Sequence, residues 1–221
     1  MSALWICDVN GVLVDTARLA GHAFAATAEH FRFPFSECHF QMVKSLWLLE
    51  AYRVLDPGQD PFVRRAFHLH SIRDRLRDVR AYPGVREMLA LARAQNIHVA
   101  AATSHGEIAE ACLVNTGLYP LIDFLVTQEE VKRPKPDPDV ILRVLVLSNM
   151  DSHDPDFERV IYVGDTTADI QAGKAAGVRT VGVTYGLSDE PEIRMAAPDY
   201  VIHSFSDMRS FLGRSMYQPV A

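Results

Sequence analysis

Short apolar runs recur along this chain at Leu4 to Cys7, Ile97 to Ala102, Phe124 to Thr127, Val160 to Val163, Thr180 to Val183 and Tyr200 to Ile202. Runs of that length bounded by turns read as strands buried on both faces, the kind found in parallel sheets. Between them, Val85, Met88, Leu89 and Ala92 share one helical face, as do Val140, Ile141, Val144 and Leu145. Strand and helix in alternation, joined by right-handed crossovers, predict an α/β fold with a doubly wound, Rossmann-like parallel sheet. Ligands of such sheets bind beyond the carboxyl ends of the strands, near the switch in strand order.

Residues 17–80 break this rhythm and read as several helices, predicting an inserted α-helical domain. The α/β core then comprises residues 1–16 and 81–221. The stretch after Asp15 and the turn at Tyr82-Pro83-Gly84 would be the hinges. Most of the phenylalanines fall in the insert (Phe24, Phe31, Phe33, Phe35, Phe40, Phe62, Phe67), and aromatics at that density are expected to form a small core. The mixed-sign stretch from Arg73 to Arg80 reads first as a solvated helix face and second as an anion patch.

The chain has 221 residues and a formal net charge of −6, which argues against general nucleic-acid binding and for a small partner. Cys7, Cys38 and Cys112 are widely spaced and odd in number, as expected of reduced thiols in a cytoplasmic protein. No basic segment followed by an apolar stretch opens the chain, and no run is long enough for a membrane span, so a soluble protein is expected.

Carboxylates, a lysine and a hydroxyl stand where the runs give way to loops. Asp8 opens Asp8-Val9-Asn10-Gly11-Val12-Leu13-Val14-Asp15, Thr103-Ser104 follows the second run, Lys135 lies in Lys-Pro-Asp-Pro, and Asp165 and Asp169 lie in Gly164-Asp165-Thr166-Thr167-Ala168-Asp169. Together they suit a metal-assisted site. Each also has a plain structural use: Asp165 or Asp169 as a helix cap, Lys135 as a solvated loop lysine, Thr103 as a strand-end hydroxyl serving local backbone.

In their order, spacing and strand context, these four motifs resemble the haloacid dehalogenase superfamily of hydrolases over nearly the whole chain. The helical insert resembles the type-one cap of the phosphoglycolate phosphatase and β-phosphoglucomutase branch. The resemblance implies a phosphatase-type hydrolase acting on a small phosphorylated metabolite. Asp8 would be the nucleophile that forms an aspartyl-phosphate. Mg²⁺ would be held by Asp8, the main-chain carbonyl of Asn10, Asp165 and, directly or through water, Asp169. Lys135 would supply positive charge, and Thr103, with the backbone N–H groups of Ser104 and Asn10, would hold the phosphoryl oxygens. His22, Lys44 and Arg53 are the cap residues expected to face the substrate.

One residue departs from that pattern. The phosphatase branch places a second Asp two positions after the nucleophile, as general acid and base; here it is Asn10, whose amide cannot exchange protons near neutral pH. Several readings stay open: a slow phosphatase or one restricted to acidic leaving groups, a phosphonatase-like hydrolase using Lys44 for an imine, a non-catalytic phospholigand-binding protein, or an introduced substitution that traps a complex. Asn10-Gly11 is also prone to deamidation, which would create an Asp at this position.

Overall fold

Alternation along each strand decides which layer a side chain enters. Trp5 and Cys7 point to one side of the first strand and pack with Val99, Leu89, Leu113, Phe205 and Phe211. Leu4 and Ile6, between them in sequence, point to the other side and pack with Tyr162, Val140, Ile141 and Val144. A strand buried on both faces needs a helical layer on each, and the two apolar clusters are the two interfaces.

The computed structural model describes residues 3–150 and 157–212. Its sheet is six-stranded and wholly parallel: β1 (Ala3–Cys7), β2 (Ile97–Thr103), β3 (Phe124–Thr127), β4 (Val160–Gly164), β5 (Arg179–Val183) and β6 (Tyr200–Ile202). The spatial order is β3-β2-β1-β4-β5-β6. Every apolar run of the sequence is a strand, and no strand end moves by more than one residue. The chain winds outward from β1 to β3, returns to β1's other side, and winds outward again to β6. The switch in direction therefore lies between β1 and β4, where a crevice opens at the strand carboxyl ends.

The helices are α1 (Ala17–Phe31), α2 (Glu37–Val43), α3 (Leu48–Leu55), α4 (Pro61–Ile72), α5 (Val85–Ala94), α6 (Gly106–Asn115), α7 (Asp139–Leu147), α8 (Thr167–Ala175) and α9 (Glu190–Met195). Local chemistry starts several of them. Asp60 accepts the Phe62 N–H at 2.8 Å with Pro61 in the first turn of α4, and Asp189 caps α9 by accepting the Glu192 N–H. Among the described residues no helix is long and apolar enough to cross a membrane.

Helices α1 to α4 have a cluster of their own, built on Phe24, Val43, Leu48, Ala51, Tyr52 and Leu55. Of the seven phenylalanines in this stretch only Phe24 is fully buried; Phe33, Phe35 and Phe40 pack around the cluster half-buried, and Phe62 is 62% exposed. The Arg73–Asp78 stretch is a 3₁₀ turn, not an α-helix. Its Leu76, with Val79 just beyond, is buried in the main cluster, while Arg73, Arg75 and Arg77 face solvent. The crossings into and out of the helical stretch run side by side: the Asp15 N–H donates to the Arg80 carbonyl at 2.9 Å, and the Tyr82 N–H to the Leu13 carbonyl at 3.1 Å.

Leu89 is fully buried in the cluster that joins β2 to the 3₁₀ turn Phe205–Leu212, whereas Arg53 is exposed. Leu89→Ala is expected to cost about 2–5 kcal/mol in urea unfolding, and Arg53→Ala within about 0.5 kcal/mol of nothing. Equal costs would contradict this packing.

Candidate active site

The sheet delivers the polar residues to one place. The Asp8 N–H continues the β1–β4 ladder by donating to the Val163 carbonyl at 2.9 Å, so the Asp8 side chain stands at the mouth of the crevice. The chain then turns tightly, with the Leu13 and Val14 N–H groups both donating to the Val9 carbonyl. Gly11 makes the turn possible at φ +81°, and a Cβ there would lie 1.9 Å from Asp165 Oδ2. On the far side, a Cβ at Gly186 would lie 2.4 Å from the Asp165 Cβ, and the Leu187 N–H donates to Asp165 Oδ2 at 2.7 Å. Asp165 thus sits in a cradle only glycines permit.

Asp169 is held by its own helix. Thr166 and Asp169 form a reciprocal capping box at the start of α8: Asp169 Oδ2 accepts from the Thr166 N–H at 3.0 Å and from its hydroxyl at 2.6 Å. The other oxygen, Oδ1, accepts from Lys135 Nζ at 2.6 Å and from the Tyr162 hydroxyl at 2.8 Å. Asp169 thus caps its helix with one oxygen and faces Lys135 and Tyr162 with the other. Lys135 Nζ also lies 3.4 Å from Asp8 Oδ1 and 3.1 Å from the Tyr162 hydroxyl, and Lys135 is only 9% exposed.

One cation among three buried carboxylates leaves the cluster short of positive charge. Burial pushes the Asp8 carboxyl up to about 6, with Lys135 pulling it down and Asp169 adding to the rise. Burial also holds Asp165 well above the ordinary carboxylate range, reinforced by Asp169 and Asp8. For Asp169 burial pushes the same way, but Lys135 outweighs it and keeps that carboxyl low. Burial would lower Lys135, but Asp169 and Asp8 hold it well above its usual value. Oxygens of Asp8, Asp165 and Asp169 lie within 4.8 Å of one another, a grouping able to hold a metal ion. Asn10 Oδ1 and Thr103 Oγ1 are buried without a hydrogen bond among the described residues, and Asp8 Oδ1 has only the long 3.4 Å contact with Lys135, so the cluster has polar capacity to spare for a cation and an oxyanion.

A cavity of about 120 Å³ opens above the cluster, bounded below by Asp8, Asn10, Thr103, Ser104, Lys135, Asp165 and Asp169. Its upper wall comes from α1, the α2–α3 turn and α4. Of the residues expected to face it from the helices, Lys44 does, and its Nζ is paired with Glu192 of α9 at 2.7 Å. His22 and Arg53 do not. On α1 the cavity side carries Leu19, Ala20 and Phe24, which turns His22 out into a separate surface depression. On α3 the packed face is Leu48, Leu49, Ala51, Tyr52 and Leu55, so Arg53 projects to solvent. Sequence reasoning missed Trp47, His68 and His105 in the wall and Tyr162 beneath it. Tyr162 had a readable signal: a hydroxyl in a strand buried on both faces must find a partner.

A parallel sheet with a carboxylate at one strand end, two further acids and a buried lysine at its switch point is an arrangement suited to metal-assisted hydrolysis. The comparisons agree. The family described as "Haloacid dehalogenase-like hydrolase" matches residues 5–183. A pyrophosphatase PpaX from Oceanobacillus iheyensis is 25% identical over 94% of this chain and 95% of its own. A phosphoglycolate phosphatase from Agrobacterium fabrum is 30% identical over 93% and 90%. The crystal structure of a hydrolase from Pseudomonas syringae superposes with a TM-score of 0.82 at 21% identity, covering 95% of this chain and 97% of that one. The chain belongs to the haloacid dehalogenase-like hydrolase family.

The raised Asp8 carboxyl fixes a sign. Its ionisation opposes folding at pH above about 6, and the penalty fades toward the ordinary value of 3.8, where the unfolded chain also holds the proton. Asp8→Asn is therefore expected to raise the Tm of the metal-free protein by a few degrees at pH 8, with a gain that shrinks by pH 5. A lower Tm at pH 8 would show that Lys135 needs the Asp8 charge more than Asp8 suffers from burial.

Proposed function

We propose that this chain is a magnesium-dependent phosphatase that cleaves a small phosphorylated metabolite through an aspartyl-phosphate on Asp8. The observation that carries the reading is the charge-deficient Asp8, Asp165, Asp169 and Lys135 cluster opening onto a cavity with a largely apolar upper wall. The relatives named as a pyrophosphatase and a phosphoglycolate phosphatase support a phosphorylated substrate. Asp8, the Asn10 carbonyl and Asp165 would hold Mg²⁺. Asp169, whose two oxygens already accept four hydrogen bonds, would take part through water. When bound, the ion supplies charge neutralisation for the phosphate and the nucleophile. Lys135 orients the Asp8 carboxylate and offsets phosphoryl charge. The unpartnered Thr103 hydroxyl, with the Ser104 and Asn10 N–H groups, receives the phosphoryl oxygens.

Residues 17–80 are the cap of this reading, with residues 1–16 and 81–221 as the core. The adjacent crossings at Asp15 and Arg80 suit a hinge, and two ion pairs, Lys44 to Glu192 and Arg65 to Glu129, hold the helices against the core. Closure excludes water from the reacting phosphate. A phosphonatase-like imine on Lys44 requires a free amine, and this amine is engaged by Glu192, which favours the phosphatase. Three free cysteines suit a reducing, cytoplasmic setting.

Asn10 leaves the leaving oxygen without an acid and the attacking water without a base. Phosphate release from sugar phosphates, phosphoglycolate and acetyl phosphate with Mg²⁺ tests the reading, the chain beside Asn10→Asp. The variant is expected to be faster by about 10²- to 10⁴-fold on alkyl esters. Intact mass must show that the chain's own rate does not track deamidated molecules. No release by either protein would overturn the hydrolase reading; equal rates would overturn the role assigned to position 10.

A further inference from the structure

Resting on that phosphatase reading, we infer that the substrate is the phosphate monoester of an uncharged, largely apolar aryl-type alcohol, without a second anionic group. The upper cavity wall carries the first half of the argument. Phe24 and Leu48 are buried, and Trp47, Ile72 and Ile108 complete an apolar surface around them. An apolar wall with the half-buried Trp47 ring in it binds a planar apolar group better than a polyol.

Charge carries the second half. A substrate with a further carboxylate or phosphate must find a cation, because an unpaired buried anion costs several kcal/mol, about a hundredfold in affinity or more. Two cations line the cavity among the described residues, and both are taken: Lys135 by Asp169 and Asp8, Lys44 by Glu192 at 2.7 Å. Glu192 is held in turn by the start of α9, where its N–H donates to Asp189 Oδ1 at 2.9 Å. The two histidines in the wall are neutral near pH 7. Burial draws His68 down to about 3 and His105 down to about 4. His68 Nδ1 is 2.7 Å from the Tyr52 hydroxyl, so it offers a polar edge without charge.

Asn10 agrees with this class from the other end of the site. An Asp8 oxygen forms its bond to phosphorus as the ester P–O bond breaks. The electron pair leaves on the aryl oxygen, which departs as a phenoxide and takes its proton from solvent. Water then cleaves the acyl phosphate, returning the carboxylate, inorganic phosphate and a proton. An alkoxide would need a proton transferred from position 10, and the Asn10 amide, though it can donate a hydrogen bond, has no acidic proton to transfer near neutral pH.

The test compares kcat/KM for phenyl phosphate, 4-carboxyphenyl phosphate, benzyl phosphate and phosphoglycolate with Mg²⁺, for the chain, Asn10→Asp and Glu192→Gln. Phenyl phosphate is expected to exceed 4-carboxyphenyl phosphate and phosphoglycolate by at least about tenfold, a difference of about 1.4 kcal/mol. It should exceed benzyl phosphate by a similar factor in the chain, a margin that narrows in Asn10→Asp. Glu192→Gln, which frees Lys44, should shrink the penalty on the added carboxylate. Release with the carboxylated esters equal or preferred would overturn this inference alone. No release from any ester, by the chain or by Asn10→Asp, would overturn the phosphatase reading and this inference with it.

Discussion

Lys135 is the residue on which the arrangement turns. Its ammonium sits 2.6 Å from Asp169 and 3.4 Å from Asp8, whose charges outweigh the lowering that burial alone would bring to its pKa. Two like charges about 4 Å apart repel by roughly 4 kcal/mol at an effective dielectric near 20, and three carboxylates gather here. One lysine offsets part of that repulsion and leaves the rest on Asp8 and Asp165, the two acids pushed up in pKa. The deficit leaves the cluster able to hold a cation, as the proposed function requires, where a charge-balanced salt bridge would not be.

Geometry supports this electrostatics at little cost in the fold. The switch in strand order brings Asp8 and Asp165 together from opposite halves of the chain, and Gly11, Gly164 and Gly186 let the backbones close to where any side chain would collide. Asp169 anchors the lysine with one oxygen and its helix with the other, so displacing Lys135 would also unsettle the start of α8. The helices between β1 and β2 contribute no group to the acid cluster. They contribute most of the apolar wall and one paired lysine, so the acid cluster and the cavity wall come largely from different parts of the chain.

Much of this was legible in the amino-acid sequence, because strand burial and strand-end polarity are local signals. The apolar runs named every strand, and Asp8, Asp165, Asp169, Thr103 and Lys135 were visible as polar residues where runs end. What was not legible depends on rotation and distance. His22 lies two residues from Phe24, a separation that places them on different sides of α1, and only tertiary packing decides which side meets the cavity. Lys44 finds Glu192 across 148 residues of chain, a pairing no local pattern encodes. Tyr52 and His68 went unread in the sequence: both pack against Phe24, and their polar edges, paired at 2.7 Å, matter because that packing abuts the cavity.

The central claim is that Asp8 takes the phosphoryl group. Asn10 cannot activate the water that removes it, so the intermediate should outlast mixing. Acid-quenching the chain with Mg²⁺ and a turned-over ester, reducing with borohydride and mapping the peptides by mass spectrometry reads this directly. The account predicts homoserine in place of Asp8, absent when substrate is withheld and absent in Asp8→Ala. Phosphate release undiminished in Asp8→Ala, or a phosphorylated residue elsewhere in the cavity, would contradict it.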